Sequence, residues 1–166
     1  MQTPKRPTKL TDNTACVLIN YIRNTMDVMG LKDWQFDLSN KPAPSGRIAQ
    51  VEVWGDSMTA TFWLGSFFDY GPRMQREIIV HEIVHCHTDK MFKRAREVMR
   101  KTLGREAFEV ALDSFEQVHE LTVDAIASAW ARMLPLIDWN DKTPLYTAYE
   151  KAEDADEADR KDSVVI

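Results

Sequence analysis

The strongest constraint on the fold of this chain is a change of hydrophobic periodicity at Gly71 and Pro72. Before this point, "RIAQVEVW" and "SMTATFWLG" alternate apolar and polar residues, as half-buried strands do. After it, apolar residues recur every three to four positions as far as Pro135, which is typical of amphipathic helices. We expect these helices to be interrupted around residues 88–89 and again at Gly104. The pattern predicts the α+β class, with a small sheet that precedes the long helices.

The N-terminal half contains a helix and about three strands by the same criteria. Residues 11–30 carry apolar side chains at helical spacing, and Gly30 provides a stop signal. The run "DWQFDLS" alternates like a half-buried strand and is followed by the loop "NKPAPSG". The two later β-rich runs meet at Gly55 and Asp56, a pair that suits a tight two-residue hairpin. We therefore expect a small antiparallel sheet of about three strands.

Composition limits the class of protein. The chain has 166 residues, of which 44% are hydrophobic and 28% charged, in the ordinary range for one soluble domain. No apolar run approaches the ~20 residues that span a bilayer, and no signal sequence is apparent, so we expect a cytoplasmic protein without a membrane partner. Cys16 and Cys86 are too few for a disulfide framework. We predict one domain at residues 1–149 and a disordered tail at residues 150–166, which carry seven acidic and three basic residues.

Three of the four histidines lie in the stretch "REIIVHEIVHCHTD". At about 100° per residue, His81 and His85 differ by about 40° and lie about 5–6 Å apart on a helix, so both can reach one metal ion. Glu82 is rotated by about 100° from His81, where its carboxylate could hold a water on that ion. His87 falls on the far side of the helix and reads as a surface residue. Cys86 reads as a small packed residue.

The sequence "HEIVH" is the HExxH motif, in which two histidines bind zinc and the glutamate is the general base. The alternative is an amphipathic helix whose histidines are hydrogen-bonded in or near the core. A third ligand separates these interpretations, because catalytic zinc takes three protein ligands and one water. His119 is one candidate for this third ligand, although it lies about 100° around its helix from Glu120, a member of the row of acids on that helix. Four acids share one side of that helix within about 80° of each other, which fits a row of ligands or a solvated face: Asp113, Glu116, Glu120 and Asp124.

"HEIVH", followed 35 residues later by "ELTVD", resembles the gluzincin group of zincin zinc metallopeptidases, which combine HExxH with a downstream ExxxD. The resemblance is closest to the minimal zincin-like domains of phages and bacteria, with a small sheet, an HExxH helix and a glutamate helix. It implies that His81, His85 and Glu120 bind one Zn²⁺ per chain and that Glu82 is the general base. It also implies that Asp124 orients a ligand histidine from behind, which fixes its tautomer.

The resemblance further implies hydrolysis of peptide bonds, by an endopeptidase rather than an exopeptidase. The substrate would be a polypeptide, with one specific regulatory protein of a phage or its host as a candidate. An extended substrate is expected along an edge strand, either "SMTATFWL" or its hairpin partner. Thermolysin-like enzymes add a histidine or tyrosine that stabilises the oxyanion. The candidates for that role, each of which also suits a structural one, are Tyr70, Tyr146 and Tyr149.

A second function from a different class stays open at this stage. The chain could be a zincin-fold binding module with a structural metal or none, whose edge strand or basic helix binds a partner. The segment "DKMFKRAREVMRKTLGR" contains seven Lys and Arg residues that could contact phosphate. However, its apolar residues keep helical spacing and the chain is acidic overall, so a solvated face around a packed stripe explains it. The sequence therefore does not favour a nucleic-acid partner.

Overall fold

The computed structural model describes residues 7–140 of the chain. Within this range it contains three helices and three strands, with short 3-10 turns at Pro44–Gly46 and Ser66–Asp69. The predicted α+β class and the predicted order of elements are confirmed, whereas the predicted acidic tail lies outside the described residues. The elements are α1 (Asp12–Val28), β1 (Gln35–Leu38), β2 (Ala49–Trp54), β3 (Thr59–Leu64), α2 (Pro72–Thr102) and α3 (Arg105–Ala131).

Helix α1 begins and ends where local chemistry predicts. The Thr11 hydroxyl accepts a hydrogen bond from the Thr14 amide, and the Thr14 hydroxyl accepts one from the Thr11 amide. This reciprocal capping satisfies two amides that the first helical turn leaves without partners. Gly30, two residues after the last helical residue, has a φ of +80°, a left-handed conformation that costs glycine little. The helix packs its apolar face, centred on Leu18 and Ile22, into the core.

The sheet is mixed rather than antiparallel. Its strand order is β1-β3-β2, with β2 antiparallel to β3 and β1 parallel to β3. The prediction of about three strands is confirmed, and the prediction that all of them are antiparallel is wrong. Alternation of apolar residues decides which side chains face the core, but it carries no information about which strand lies in the centre or in which direction its neighbours run.

The hairpin between β2 and β3 is longer than predicted. Four residues, Gly55–Met58, connect the strands, and Ser57 N–H donates to the Trp54 carbonyl at 3.1 Å. Met58 adopts a left-handed φ of +51°. The Gly55 backbone lies so close to α2 that an added Cβ would come within 2.8 Å of an Asp89 carboxylate oxygen. The loop therefore packs against α2, a contact that the local sequence does not reveal, and it is two residues longer than the predicted turn.

Helix α2 is continuous over 31 residues, so the predicted interruption at residues 88–89 is wrong. The Thr88 hydroxyl lies within hydrogen-bond distance of the Val84 carbonyl, at 3.3 Å, and is thus accommodated inside the helix. The predicted break at Gly104 is confirmed, since α3 begins at the next residue. Ala127 and Ala131 of α3 are buried, as expected for close packing between helices. This helical hairpin lays the HExxH segment of α2 against α3.

Candidate metal centre

Two histidines of α2 and one glutamate of α3 converge on a single point. The Nε2 atoms of His81 and His85 lie 3.1 Å apart. Glu120 Oε2 lies 3.5 Å from the His81 Nε2 and 3.7 Å from the His85 Nε2. Ligands bound tetrahedrally at about 2.0–2.1 Å from an ion are separated by about 3.3 Å, so the three atoms match three corners of a tetrahedron. This group could hold a metal ion.

Asp124 fixes the orientation of one of these histidines. Its Oδ1 lies 2.8 Å from His81 Nδ1, on the side of the ring opposite the cluster. Since an ionised carboxylate only accepts hydrogen bonds, Nδ1 carries the hydrogen and Nε2 presents its lone pair to the cluster. The partner of a metal-binding histidine typically takes this position. The structure thus places Asp124 where the ExxxD pattern requires it.

The second histidine, His85, is held in the form that binds metals. Burial lowers its pKa to about 4, and the nearby His81 and His119 lower it in the same direction. A protonated imidazole has no lone pair to donate, and a pKa this low leaves His85 neutral at neutral pH. The surroundings of His85 therefore favour its neutral imidazole, which has a lone pair for a metal, over the protonated imidazolium.

Glu82 lies beside the cluster and is buried, with 8% of its surface exposed. Burial raises the pKa of its carboxyl to about 7, although His81 and a hydrogen bond from the Val51 amide act in the opposite direction. A carboxyl with a pKa near 7 can both accept and release a proton close to neutral pH. The structure thus places a buried carboxyl of raised pKa in the same cleft as the cluster.

The outer edge of β2 runs past this carboxyl. Gly65 N–H donates to the Ile48 carbonyl at 2.9 Å, so residue 48 bonds to the residue that follows β3. Because every second residue of an antiparallel strand bonds to the same neighbour, residues 50, 52 and 54 bond to β3, whereas the residues between them do not. The backbone groups of residues 49, 51 and 53 therefore point away from β3, towards the helices. Strand β3 is paired on both sides, so the expectation that "SMTATFWL" could receive an extended substrate is wrong. Its hairpin partner β2 is the outer strand next to the cluster.

These groups share one cleft of about 1040 Å³ between β2 and the two long helices. Its lining includes the three donors of the cluster as well as Glu82 and Asp124. Tyr70, a predicted candidate for oxyanion stabilisation, is not part of this lining. The other two candidates, Tyr146 and Tyr149, lie outside the described residues. None of the tyrosines in the described part of the chain lines the cleft.

His119, the alternative third ligand, lies next to the cluster but outside it. Its Nε2 lies 2.9 Å from the Thr88 hydroxyl, and its ring packs against Phe92 at a centroid distance of 4.7 Å. The described donors that lie together include Glu120 and not His119. The Nδ1 of His119 lies 3.8 Å from Glu120 Oε1, so His119 links α2 to α3 beside the cluster.

Sequence reasoning overlooked Arg47, the one Lys or Arg among the described residues of the lining, which lies in the loop before β2. No motif marks it, since it is 34 residues from His81 along the chain. The only local signal is its place at the end of "NKPAPSG", where the loop meets the first residues of an outer strand. The exposed His87 and the buried Cys86 are placed as predicted, away from the cluster.

The basic segment of α2 has partners within the protein. Lys93 Nζ lies 3.0 Å from Asp89 Oδ2 and donates to the Val53 carbonyl at 2.7 Å. Further along, Arg94 and Lys101 both pair with Glu97. These ion pairs support the interpretation of this segment as a solvated face around a packed stripe. Whether nucleic acid binds there is untested, and the absence of such a partner stays a prediction.

Neither a protein-family model, nor a curated protein, nor a solved structure matches this chain. The resemblance to zincins therefore depends on the five residues of the two motifs and on the geometry that brings them together. Within the described residues, no helix combines the length and the apolar character needed to cross a membrane.

Proposed function

We propose that this protein is a zinc-dependent metallopeptidase that hydrolyses peptide bonds, with Glu82 as the general base. The observation that carries the proposal is the spacing of 3.1–3.7 Å among His81 Nε2, His85 Nε2 and Glu120 Oε2. Two imidazoles and one carboxylate are a ligand set of catalytic zinc sites, which keep a fourth position for water or substrate. One Zn²⁺ per chain fits this group, and we propose zinc as the ion.

A bound zinc ion would supply a water of lowered pKa and would polarise the scissile carbonyl. The side chains then have separate tasks. Glu82 accepts a proton from the attacking water and delivers it to the nitrogen of the leaving amine. Its place in the cleft supports this role, and burial raises the pKa of its carboxyl, which makes it a stronger proton acceptor. Asp124 holds the His81 ring in the tautomer that binds metal.

The proposed substrate is an extended polypeptide that pairs with the outer edge of β2. Val51, whose amide faces Glu82, has strand residues on both sides, from Ala49 to Trp54. The Val51 amide already bonds to Glu82 and the Val53 carbonyl to Lys93, so a peptide that pairs along this edge would displace these bonds. An endopeptidase rather than an exopeptidase stays a prediction. One specific regulatory protein as the substrate, a phage or bacterial setting and a cytoplasmic location stay predictions.

One observation favours the second function, a zincin-fold binding module that has a structural metal or none. At 3.1 Å, the Nε2 atoms of His81 and His85 are also within hydrogen-bond distance, if one of them carries a hydrogen. In that state the two rings would stabilise each other without an ion. The partner would then bind the edge of β2 or the basic part of α2 without being cleaved.

Substitution of Glu82 by Gln separates the two functions. For the metallopeptidase we expect one zinc per chain in both the wild type and E82Q, measured by elemental analysis of untagged protein. The wild type should cleave an unbiased peptide library, and E82Q should be slower by about 10²- to 10⁴-fold, since it lacks the general base. Glu77→Gln is the matched control, because Glu77 lines the same cleft but is not part of the donor cluster.

The outcomes discriminate clearly. A wild-type protein that holds zinc yet cleaves no peptide would support the binding module with a structural metal. A protein that takes up no stoichiometric metal would contradict the metal centre itself. Equal cleavage by the wild type and E82Q would show that another group is the base.

A further inference from the structure

Within residues 7–140, Arg47 is a cation without a side-chain partner, and it lines a cleft that also contains six acids. It is exposed, and no hydrogen bond or ion pair joins its guanidinium to another residue within 7–140. Among the described residues of the lining it is the only Lys or Arg. The acids that line the same cleft are Glu77, Glu82, Asp89, Glu116, Glu120 and Asp124. A single positive charge in such surroundings attracts any negative charge that develops in the cleft.

The backbone of Arg47 is held firmly although its side chain is free. Its amide donates to the Pro44 carbonyl at 3.2 Å. Its carbonyl oxygen lies so close to Gly65 that a Cβ added there would come within 1.9 Å. The next residue, Ile48, is bonded through its carbonyl to the Gly65 amide. The guanidinium is therefore carried on a fixed anchor at the start of the strand that borders the cluster.

The positive charge of Arg47 acts on two ionisable groups of the cleft, Glu82 and His85. It lowers the pKa of the Glu82 carboxyl and also that of the His85 imidazole, as a smaller contribution beside burial in both cases. One other N–H donor of the cleft is engaged, since His119 Nε2 lies 2.9 Å from the Thr88 hydroxyl. Among the described residues of the lining, Arg47 is the one Lys or Arg, so its N–H groups carry a positive charge that the neutral amide of Gln50 does not have.

We propose that Arg47 is a catalytic residue that binds the oxyanion formed on the substrate carbonyl. This inference rests on the proposed peptidase function. When the water oxygen bonds to the carbonyl carbon, the π electron pair of the C=O bond moves onto oxygen, and Glu82 takes the water proton. The N–H groups of Arg47 donate hydrogen bonds to that negative oxygen. When the C–N bond breaks, the pair on oxygen re-forms the C=O bond, and nitrogen leaves with the C–N pair and the proton from Glu82.

Arginine is suited to this role in a way that lysine is not. Its guanidinium presents several N–H donors in one plane and stays protonated at any pH that the protein tolerates. Two of these donors can bond to an oxyanion at once, whereas an ammonium acts as a point charge. The conservative variant Arg47→Lys should therefore recover only part of what Arg47→Ala loses.

Inorganic phosphate, a tetrahedral anion, tests the inference without any turnover. Co²⁺ would replace zinc, and the visible absorption of the cobalt would report phosphate binding to the wild type, R47A, R47K and R96A. Arg96 is an exposed arginine of α2 outside the cleft lining, so R96A is the matched control for loss of one charge. We expect R47A to bind phosphate about 10- to 100-fold more weakly, as for loss of a hydrogen bond to a charged group. R47K should be intermediate and R96A equal to the wild type, with unchanged Co²⁺ affinity in all four.

Kinetics on a peptide cleaved by the zinc-loaded wild type complete the test. R47A should lower kcat by about 10²- to 10³-fold with little change in KM, as for loss of an oxyanion donor. Phosphate affinity in R47A within twofold of wild type, or a wild type that binds no phosphate, would overturn the inference. A rise in KM alone would also overturn it, since Arg47 would then bind a part of the substrate that does not react. If phosphate binding depends on Arg47 but the zinc-loaded wild type cleaves nothing, the anion site stands and the peptidase function fails.

Discussion

His81 and Asp124, 43 residues apart in the chain, meet at 2.8 Å between Nδ1 and Oδ1. This contact joins the HExxH segment of α2 to the ExxxD segment of α3. It fixes the hydrogen on Nδ1, so that the lone pair of Nε2 faces His85 and Glu120. The contact thus turns two motifs on separate helices into one donor set.

Substitution of Asp124 by Ala should weaken zinc binding without removing a ligand. We expect the affinity to fall about 10- to 100-fold, because the His81 ring loses the partner that orients it and raises its basicity. Competition with a chromogenic chelator measures the affinity. Asp113→Ala is the control, since Asp113 is an exposed acid of the same helix that does not line the cleft. Equal zinc affinities for the two variants would show that the contact has no effect on the metal.

Glu120→Ala should weaken zinc binding more than Asp124→Ala does, because it removes one of three donors. Glu116, one turn earlier on α3, lines the cleft but is not part of the donor cluster, so Glu116→Ala is a closely matched control. Zinc content after dialysis is the simplest measurement. If E116A loses zinc and E120A keeps it, α3 presents a different carboxylate to the ion and the assignment of the third ligand is wrong.

Gly65→Ala should destabilise the fold, because the new Cβ would lie 1.9 Å from the backbone oxygen of Arg47. The loop before β2 would have to move, and we expect the free energy of unfolding to fall by about 3 kcal/mol. Urea unfolding followed by circular dichroism measures this. Gly104→Ala is the control, since nothing lies within 4 Å of a Cβ added there; because Gly104 is the N-cap of α3, a loss of up to about 1 kcal/mol is expected. A similar fall in the free energy of unfolding in both variants would show that the loop before β2 moves aside at little cost.

Tyr21 should make the stability sensitive to alkaline pH. Its hydroxyl donates to the Pro135 carbonyl at 2.9 Å, and burial raises its pKa from 10.0 to about 12. The unfolded chain therefore loses this proton at a lower pH than the folded protein does, so the free energy of unfolding falls as pH rises from 10 to 12. A shift of this size corresponds to about 3 kcal/mol when complete. Below pH 10 this contribution is fully present.

The Tyr21→Phe variant isolates the effect. It should be less stable than the wild type by about 1 kcal/mol at pH 8, because it lacks the hydrogen bond to Pro135. Above pH 10 the difference should shrink and then change sign, since phenylalanine has no proton to lose. Urea unfolding at several pH values measures both curves. Parallel curves from pH 8 to pH 12 would contradict the raised pKa of Tyr21.

Several features follow from local sequence because they depend on the geometry of a single element. Residues four apart on a helix share a face, so the pairing of His81 with His85 was predictable from spacing alone. The same geometry placed His87 on the far side, where it is exposed. The helix start at Pro72 and the stop signal at Gly30 also arise from the conformational limits of those residues.

The choice among the acids of α3 required more than the helix wheel. Asp113 shares a side of the helix with Glu120, but only the acids level with the HExxH segment line the cleft. Asp113 and Asp124 are eleven positions apart, which at about 1.5 Å per residue separates them by about 16 Å along the helix axis. This distance is far more than the width of a metal site. Which part of α3 faces His81 depends on how the two helices pack, and the resemblance to the ExxxD pattern, not the wheel, singled out Glu120.

By itself, the sequence determined the class, the order of elements and the two histidines of one helix face, because each depends on short-range backbone geometry. Only the tertiary structure decided that β3 is the central strand, that β1 runs parallel to it and that Arg47 enters the cleft. Those features join segments that are distant in the chain, and their positions are set by packing against other elements. Local periodicity records which side of an element is buried, but it does not record which neighbour covers that side.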